Sequence, residues 1–524
     1  MRLGICSRSK DVVEPKIKPQ WYVKCSGMGN QALDAAIDSE NRKLEIIPRQ
    51  YTAEWLKYLP WLENIRDWCI SRQLWWGHRV PAWYVVYEMI RGRILEYLMI
   101  DGWLQGMRKR LEHRLDTEDL KAFYPTSLLE TGHDILFFWV SRMVMLGMAL
   151  GGDVPFTKVY LHPMIRDAHG CKMSKSLGNV IDPLDVINGV ELEDLQKKLL
   201  EGNLDAKEVA VSEEVLKKDF PKGIKECGTD ALRFALVSYT AQHDKINLDI
   251  KRVEGYKSWC NKLWNVARFS LSILGNDYVP PLTVNPHVFP FSCQWILSVL
   301  NKAISKTVLS LESYELSDAA TAVHAWWQYQ LCDVFVEAIK PYFSSNAPKF
   351  ASERGCARDT LWLCLDNGLR LLHPFMPFVT EELWQRLPSS GDHKRETSIM
   401  ICEYPSITEC WTNEKAESEM NLTESIVQSL RSLTKESHER RSAIVICRTI
   451  SDWKIICSHQ REIETLAHLS SLTVVIDEDG FPTPTNSDGY VMSTVNKNIS
   501  GFLNVPRVKA DPESIRQKME RLTL

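Results

Sequence analysis

Two lysines three residues apart, Lys172 and Lys175, are interleaved with Ser174 and Ser176 in the string Cys171-Lys172-Met173-Ser174-Lys175-Ser176-Leu177-Gly178-Asn179. Lysine is a compact point charge on a flexible stem that can follow a moving phosphate, and hydroxyls add neutral donors. A cationic loop of this kind suits a reaction in which negative charge develops on a departing polyphosphate. Two lysines alone would read equally well as a solvated surface loop. A second group lies at Thr131-Gly132-His133-Asp134, where an apolar run ends in Gly-x-Asp and feeds a hydrophobic stretch. Open α/β sheets bind ligands at the carboxyl ends of their strands. Glycine there lets the backbone approach a nucleotide, and aspartate accepts bonds from ribose hydroxyls. Taken alone, Gly-x-Asp is also a plain turn with an N-cap.

The flanking residues predict the elements that hold these groups. Lys158 to Ile165 is apolar enough for a buried strand, and Asp167-Ala168-His169-Gly170 is turn chemistry. Asp182-Pro183-Leu184-Asp185 reads as an N-cap, a first-turn proline and an acid at the third helical position. The most apolar window, residues 135–150, is short for a bilayer span and carries Arg142, which predicts a buried helix of a soluble protein. Residues 1–55 predict short strands and turns, with a short helix over 31–37. Short strands follow around 68–70 and 82–87. A charged helical stretch covers 191–218, and a helix capped by Thr229 leads into 230–236. From 255 to 388 apolar residues recur at three and four, as in a helical bundle. Beyond 402 the pattern is mixed: helices over 419–437 and 460–471, strands over 443–447 and 472–476, and a loop at Pro482, Pro484 and Asn486.

A chain of 524 residues accommodates two to four domains. The formal charge of -4 carries no basic excess, so a nucleic-acid partner would have to be met by local patches. The 14 cysteines include no C-x-x-C pair and read as reduced thiols of an intracellular protein without structural zinc. The 18 tryptophans read mainly as core. Met1 to Arg8 lacks the apolar run of a targeting segment.

The K-M-S-K-S string at 172–176 resembles the signature loop of class I aminoacyl-tRNA synthetases. Its flanks, Arg166 to Gly170 and Asn179-Val180-Ile181-Asp182-Pro183, resemble the valyl-tRNA synthetase family in particular. Ile70-Ser71-Arg72-Gln73 with Trp76-Gly77, Tyr124 to Trp139, Asn261-Lys262-Leu263-Trp264-Asn265 and His373 to Phe378 extend the likeness in order. It covers most of residues 1–405, lapses between 86 and 120, and thins beyond 405. In the lapse the family's Asp-Thr-Trp-Phe-Ser-Ser segment is reduced to Asp116-Thr117, which suggests a deleted or misread exon.

The resemblance implies α/β followed by all-α: a partial Rossmann-type catalytic core joined to a helical-bundle anticodon-binding domain and a small mixed C-terminal region. The corresponding boundaries are 1–50 (trailing end of an editing insertion), 51–250 (second half of the core), 251–410 (anticodon-binding bundle) and 411–524 (mixed remnant leading into a coiled coil from 511). The implied reaction is ATP-dependent activation of L-valine and transfer to tRNA(Val), with Mg2+ accompanying ATP. Lys175, with Lys172, would neutralise the leaving pyrophosphate, and Ser174 and Ser176 would add contacts to ATP. Gly132, Asp134 and Thr131 would take the ribose, His162 and Met164 the adenine side, and Trp76 would wall the apolar valine pocket. The family's His-x-Gly-His signature and most of its editing insertion have no counterpart in the sequence. This implies weak activation and weak discrimination, since an apolar pocket alone poorly rejects an isosteric hydroxyl amino acid. A tRNA-binding chain without catalysis and an incomplete gene reading are the alternatives. The family further implies a monomer with no membrane partner, in the cytoplasm, with an organellar copy as alternative.

Overall fold

The computed structural model describes residues 4–6, 11–14, 16–37, 42–57, 65–77, 84–85, 97–98, 117–173, 179–201, 206–240, 245–281, 283–344, 348–389, 396–433, 439–477 and 489–505. They fall into two compact units, Met1–Ile165 with Gln242–Ile246, and Arg166–Ala241 with Asn247–Leu524.

The first unit is built on a parallel three-stranded sheet in the order Glu45–Ile47, Lys158–His162, Leu129–Gly132. Parallel neighbours need a crossover, and one is supplied by the continuous helical segment His133–Gly151 between Leu129–Gly132 and Lys158–His162. Its first turn is 3-10, its middle is α-helical over Ser141–Leu146, and π-helical turns flank that middle. Leu136, Val140 and Val144, four apart, are buried in one core with Ala32, Leu33, Ala36 and Trp55. Phe138 and Trp139 are 59% and 51% exposed. The buried helix expected over 135–150 is therefore corrected to one covered on a single face: the most apolar 18-residue window of His133–Gly151 has a mean hydropathy of 1.5, and 28% of it is buried.

Over residues 1–55 the expected short strands appear as Tyr22–Val23 and Glu45–Ile47, while the helix expected over 31–37 starts earlier and a second, unexpected helix follows. Ser26–Ile37 is a 12-residue helix and Gln50–Lys57 a second one. Ala32, Ala35 and Ala36 make the first a good helix former, with a flat face against the crossover segment. An antiparallel ribbon pairs Tyr22–Val23 with Trp68–Cys69, and another pairs Tyr84–Val85 with Tyr97–Leu98. The rest of 86–116, where the likeness lapses, lies outside the described residues.

In the second unit, Pro183–Asn188 starts as read from the sequence, with Asp182 accepting from the Leu184 N–H at 2.9 Å. The charged stretch folds as Leu192–Leu200 and Ala206–Asp219. The cap of Thr229–Ser238 is Gly228, not Thr229, because the cap residue takes a φ of +84° that only glycine adopts without strain. The bundle comprises Ile250–Leu274, Phe291–Glu312, Leu316–Ala325 running through π-helical Trp326–Phe335 into Val336–Phe343, Ala351–Leu372 and Pro377–Gln385. One core joins them around Leu263, Leu300, Trp326, Trp327, Phe335 and Leu365. Asp230 fastens the preceding helix to it by accepting from the Phe378 and Val379 N–H groups at 3.3 and 2.6 Å. One turn later Arg233 donates to the Pro374 carbonyl at 3.0 Å.

The chain then forms a four-stranded sheet in the order Leu469–Ile476, Arg441–Cys447, Ile499–Asn504, Tyr490–Asn496. The first pair is parallel, bridged by helices Ile450–Ser458 and Gln460–Leu466, and the other pairs are antiparallel. Helix Glu414–Ser432 contributes Ile426, Val427 and Leu430 to this core. The expected loop at Pro482, Pro484 and Asn486 and the coiled-coil start after 511 lie outside the described residues.

Candidate nucleotide site

Gly132 closes the strand Leu129–Gly132, and its parallel neighbour in register is His162 at the end of Lys158–His162. Around it a side chain could be seated only by displacing neighbouring side-chain ends. A methyl group at 132 would stand 2.9 Å from Asp134 Oδ1, 2.9 Å from Met164 Sδ and 3.6 Å from His162 Cε1. Four residues singled out in the sequence thus converge at the carboxyl end of a parallel sheet, where α/β folds bind nucleotides. Asp134 is exposed in the first turn of the crossover helix, with its carboxylate open to a hydroxyl ligand. Thr131 precedes it, half-buried, opposite Leu161. His162 Nδ1 lies 3.0 Å from the Pro163 carbonyl, which places the ring proton of the neutral form there. His162 Nε2 faces Glu130 at 3.4 Å. Glu130 was missed by sequence reading; its strand position two residues before Gly132, on the same face, is the signal that would have found it.

In the second unit the lysine loop grows from a hairpin organised by Asp167. One carboxylate oxygen accepts the N–H groups of His169 and Cys171 at 3.1 and 2.7 Å, and the other accepts Asn179 Nδ2 at 2.9 Å. Arg166 pairs with Lys172 across the hairpin and donates to the Gly170 carbonyl at 2.9 Å. Gly170 takes the turn at φ +79°. Asn179 also donates to the Lys172 carbonyl at 3.2 Å, which draws the two ends of the signature loop together. His169 Nε2 meets Asp219 at 2.7 Å at the end of Ala206–Asp219. Lys172 is exposed. Ser174, Lys175 and Ser176 lie outside the described residues. Asp167 and Asn179 are the organising residues that sequence reading left as turn and loop ends.

Trp76, expected as a pocket wall, is 92% exposed beside Trp75 at 104%. Among the bundle tryptophans, Trp259 and Trp384 are core at 5% and 3%, whereas Trp264 is 39% exposed with Arg386 5.3 Å from its ring centre. Among the described residues no group of three or more His, Cys, Asp or Glu side chains is placed to hold a metal ion.

Comparison with known proteins gives concordant matches. Residues 4–95 and 99–249 match the family of tRNA synthetases class I (I, L, M and V), and residues 293–443 match the anticodon-binding domain of tRNA ligase. The mitochondrial valine–tRNA ligase 1 of Arabidopsis thaliana is 57% identical over 566 aligned residues, covering 100% of this chain and 50% of that protein. The valine–tRNA ligase of Mus musculus is 45% identical over 492, covering 84% and 38%. The chain thus spans about half the length, or less, of the curated relatives it matches. Methionyl-tRNA synthetase of Mycobacterium tuberculosis, solved with methionyl-adenylate, shares the fold at a TM-score of 0.50 and 18% identity, covering 74% of this chain and 67% of that one.

Proposed function

We propose that this chain, which belongs to the valyl-tRNA synthetase family of class I aminoacyl-tRNA synthetases, activates L-valine with ATP and transfers it to tRNA(Val). The observation that carries the reading is the crowding of Gly132 by Asp134, His162 and Met164 at the carboxyl end of the parallel sheet. Gly132 admits the nucleotide backbone, Asp134 and Thr131 take its ribose, and His162 with Met164 faces the adenine. Lys172 and Lys175 neutralise the triphosphate and its Mg2+ complex as pyrophosphate leaves, helped by Ser174 and Ser176. Trp76 walls the valine side chain. The chain's part in the reaction is positioning and charge stabilisation. Boundaries near 50, 250 and 410 divide it into editing remnant, core half, bundle and C-terminal layer. It acts as a monomer in the cytoplasm; the mitochondrial Arabidopsis relative supports an organellar copy as the alternative, which imaging of the tagged protein distinguishes.

ATP–pyrophosphate exchange tests the proposal. Lys175→Ala is expected to lower the exchange rate by about 10²-fold or more, the scale of losing one preorganised charge stabiliser; an unchanged rate removes Lys175 from the mechanism. A second reading, a tRNA-binding chain without exchange, is supported by the bundle, whose helices share one continuous core. Filter binding to tRNA(Val) without measurable exchange would select it.

A further inference from the structure

Between the helices Ala351–Leu372 and Pro377–Gln385 and the segment 403–411, the second unit keeps an open cavity of about 490 Å³. Pro280, Trp362, Trp384, Glu403, Tyr404 and Trp411 are among its lining residues. The volume lies within the range of ligand pockets, roughly 300–1,000 Å³. Its walls are fixed by their own polar atoms. Trp362 donates from Nε1 to the Pro388 carbonyl at 2.9 Å, and Trp384 from Nε1 to Asp366 Oδ1 at 2.9 Å. The Tyr404 hydroxyl donates to the Leu371 carbonyl at 2.8 Å. Arg370 pairs with Asp366 at 2.6 Å and donates to the Glu403 carbonyl at 2.9 Å, which ties the segment to the helix. Further along, Asn301 donates to the Thr408 carbonyl at 2.6 Å and accepts the Thr408 N–H at 3.1 Å. Rings held in this way do not turn to fill the space, and a site formed in advance spares a ligand the cost of ordering it.

The groups left over define what the cavity can take. Asp366 is bonded to Trp384 and Arg370, and Asn367 to Arg370 and the Leu363 carbonyl. The small exposed part of Trp411 includes its indole N–H, which has no partner among the described residues. Glu403 is exposed and forms no ion pair among the described residues. The cavity therefore offers aromatic and proline faces, an open indole donor and a carboxylate. A polyproline II segment is the complement: its rings are apolar, its carbonyls are unbonded acceptors, and proline brings no N–H in need of an acceptor. A flat heteroaromatic base would bring N–H donors that the bonded Asp366 and Asn367 leave unmet, at a desolvation cost.

We propose that this cavity is a docking site for a proline-rich segment of a partner protein, bound as a polyproline II helix beside a lysine or arginine. Proline rings pack on Trp362 and Tyr404, a peptide carbonyl accepts the Trp411 N–H, and the basic side chain meets Glu403.

The test is fluorescence anisotropy of a labelled peptide, eight prolines followed by one arginine, titrated with the full chain. It should bind, and a peptide with alanines in place of the prolines, which pays to be ordered, should bind at least about tenfold more weakly. Trp411→Phe keeps a ring but loses the N–H, and should weaken the proline peptide about three- to tenfold, the scale of one hydrogen bond. Glu403→Gln should weaken it about threefold, the scale of an exposed ion pair, and erase the preference for arginine over glutamate at the peptide's end. Being at an exposed position, it keeps the test valid if Trp411→Phe does not fold. Binding that is absent, equal for proline and alanine peptides, or unchanged in both variants overturns the proposal. Binding of free indole that the proline peptide does not displace marks a small-molecule seat and overturns it too. So does self-association, seen by sedimentation in place of peptide binding and weakened by Glu403→Gln.

Discussion

At Gly132 an added methyl group would press on Asp134 Oδ1 and Met164 Sδ together, each at 2.9 Å. Both are ends of side chains that can swing away, so Gly132→Ala should fold but displace two proposed nucleotide contacts. The expected result is a KM for ATP raised about tenfold in pyrophosphate exchange, the scale of about 1.4 kcal/mol, with a melting temperature close to wild type. An unchanged KM would mean that the niche is a packing detail. The placing of Gly132 and Asp134 at a strand end was legible in the sequence because Gly-x-Asp after an apolar strand has a meaning that depends only on local order. Trp76 rests on a different kind of signal. A pocket wall is defined by what faces it from distant parts of the chain, and at 92% exposure Trp76 meets little within the described residues. Asp167 illustrates a third case. Its turn was readable, but the reach of its second oxygen to Asn179, 12 residues on, was not.

Elements were best read where a cap or a period fixes them. Asp182 is a case in point: Asp182→Ala should cost about 1 kcal/mol through the unmet Leu184 N–H, seen as a lower urea midpoint with an unchanged slope. A midpoint equal to wild type would show that solvent caps the helix as well. Misreadings arose where the tertiary setting decides. The crossover segment is apolar all round, so its period does not tell which face is covered, and the burial of Leu136, Val140 and Val144 had to come from the packing of Ser26–Ile37. At Gly368 the bundle shows packing that no local pattern reveals. A Cβ there would lie 2.6 Å from Trp326 Cζ3 and 2.9 Å from Trp327 Cζ2, and Trp327 Nε1 donates to the Gly368 carbonyl at 3.1 Å. Both indoles are fully buried and cannot retreat. Gly368→Ala is therefore expected to destabilise by about 1–3 kcal/mol through overpacking, although alanine is the better helix former. Urea unfolding that shows stabilisation would refute this account of the contact.

On the scale of the whole chain, the sequence announced the order α/β, helical bundle, mixed layer, because each regime changes the hydrophobic period. It did not announce how the last layer meets the bundle, since that seam depends on residues more than a hundred positions apart. Glu417 accepts Ser298 Oγ at 2.5 Å and pairs with Lys302, and the His459 ring stacks on Phe291 at 3.6 Å while its Nε2 meets Glu419. Beside His459, Glu462 is 9% exposed, and its carboxyl is felt by Tyr342 and Cys293 of the bundle. Burial raises the Glu462 pKa above its ordinary value of 4.5, against the opposing pull of a backbone hydrogen bond, His459 and Arg461. The unfolded chain then releases this proton at a lower pH than the folded one. Across the window from 4.5 up to the raised value the unfolded state holds fewer protons, so the group's contribution to stability falls as pH rises. Glu462→Gln cannot ionise and escapes that loss. Calorimetry from pH 4 to pH 8 should show the melting temperature of the variant gaining on wild type as pH rises through this window and holding its lead above it. Parallel curves would mean that Glu462 ionises at its ordinary value in the folded chain, with the seam open enough to water to solvate the charge.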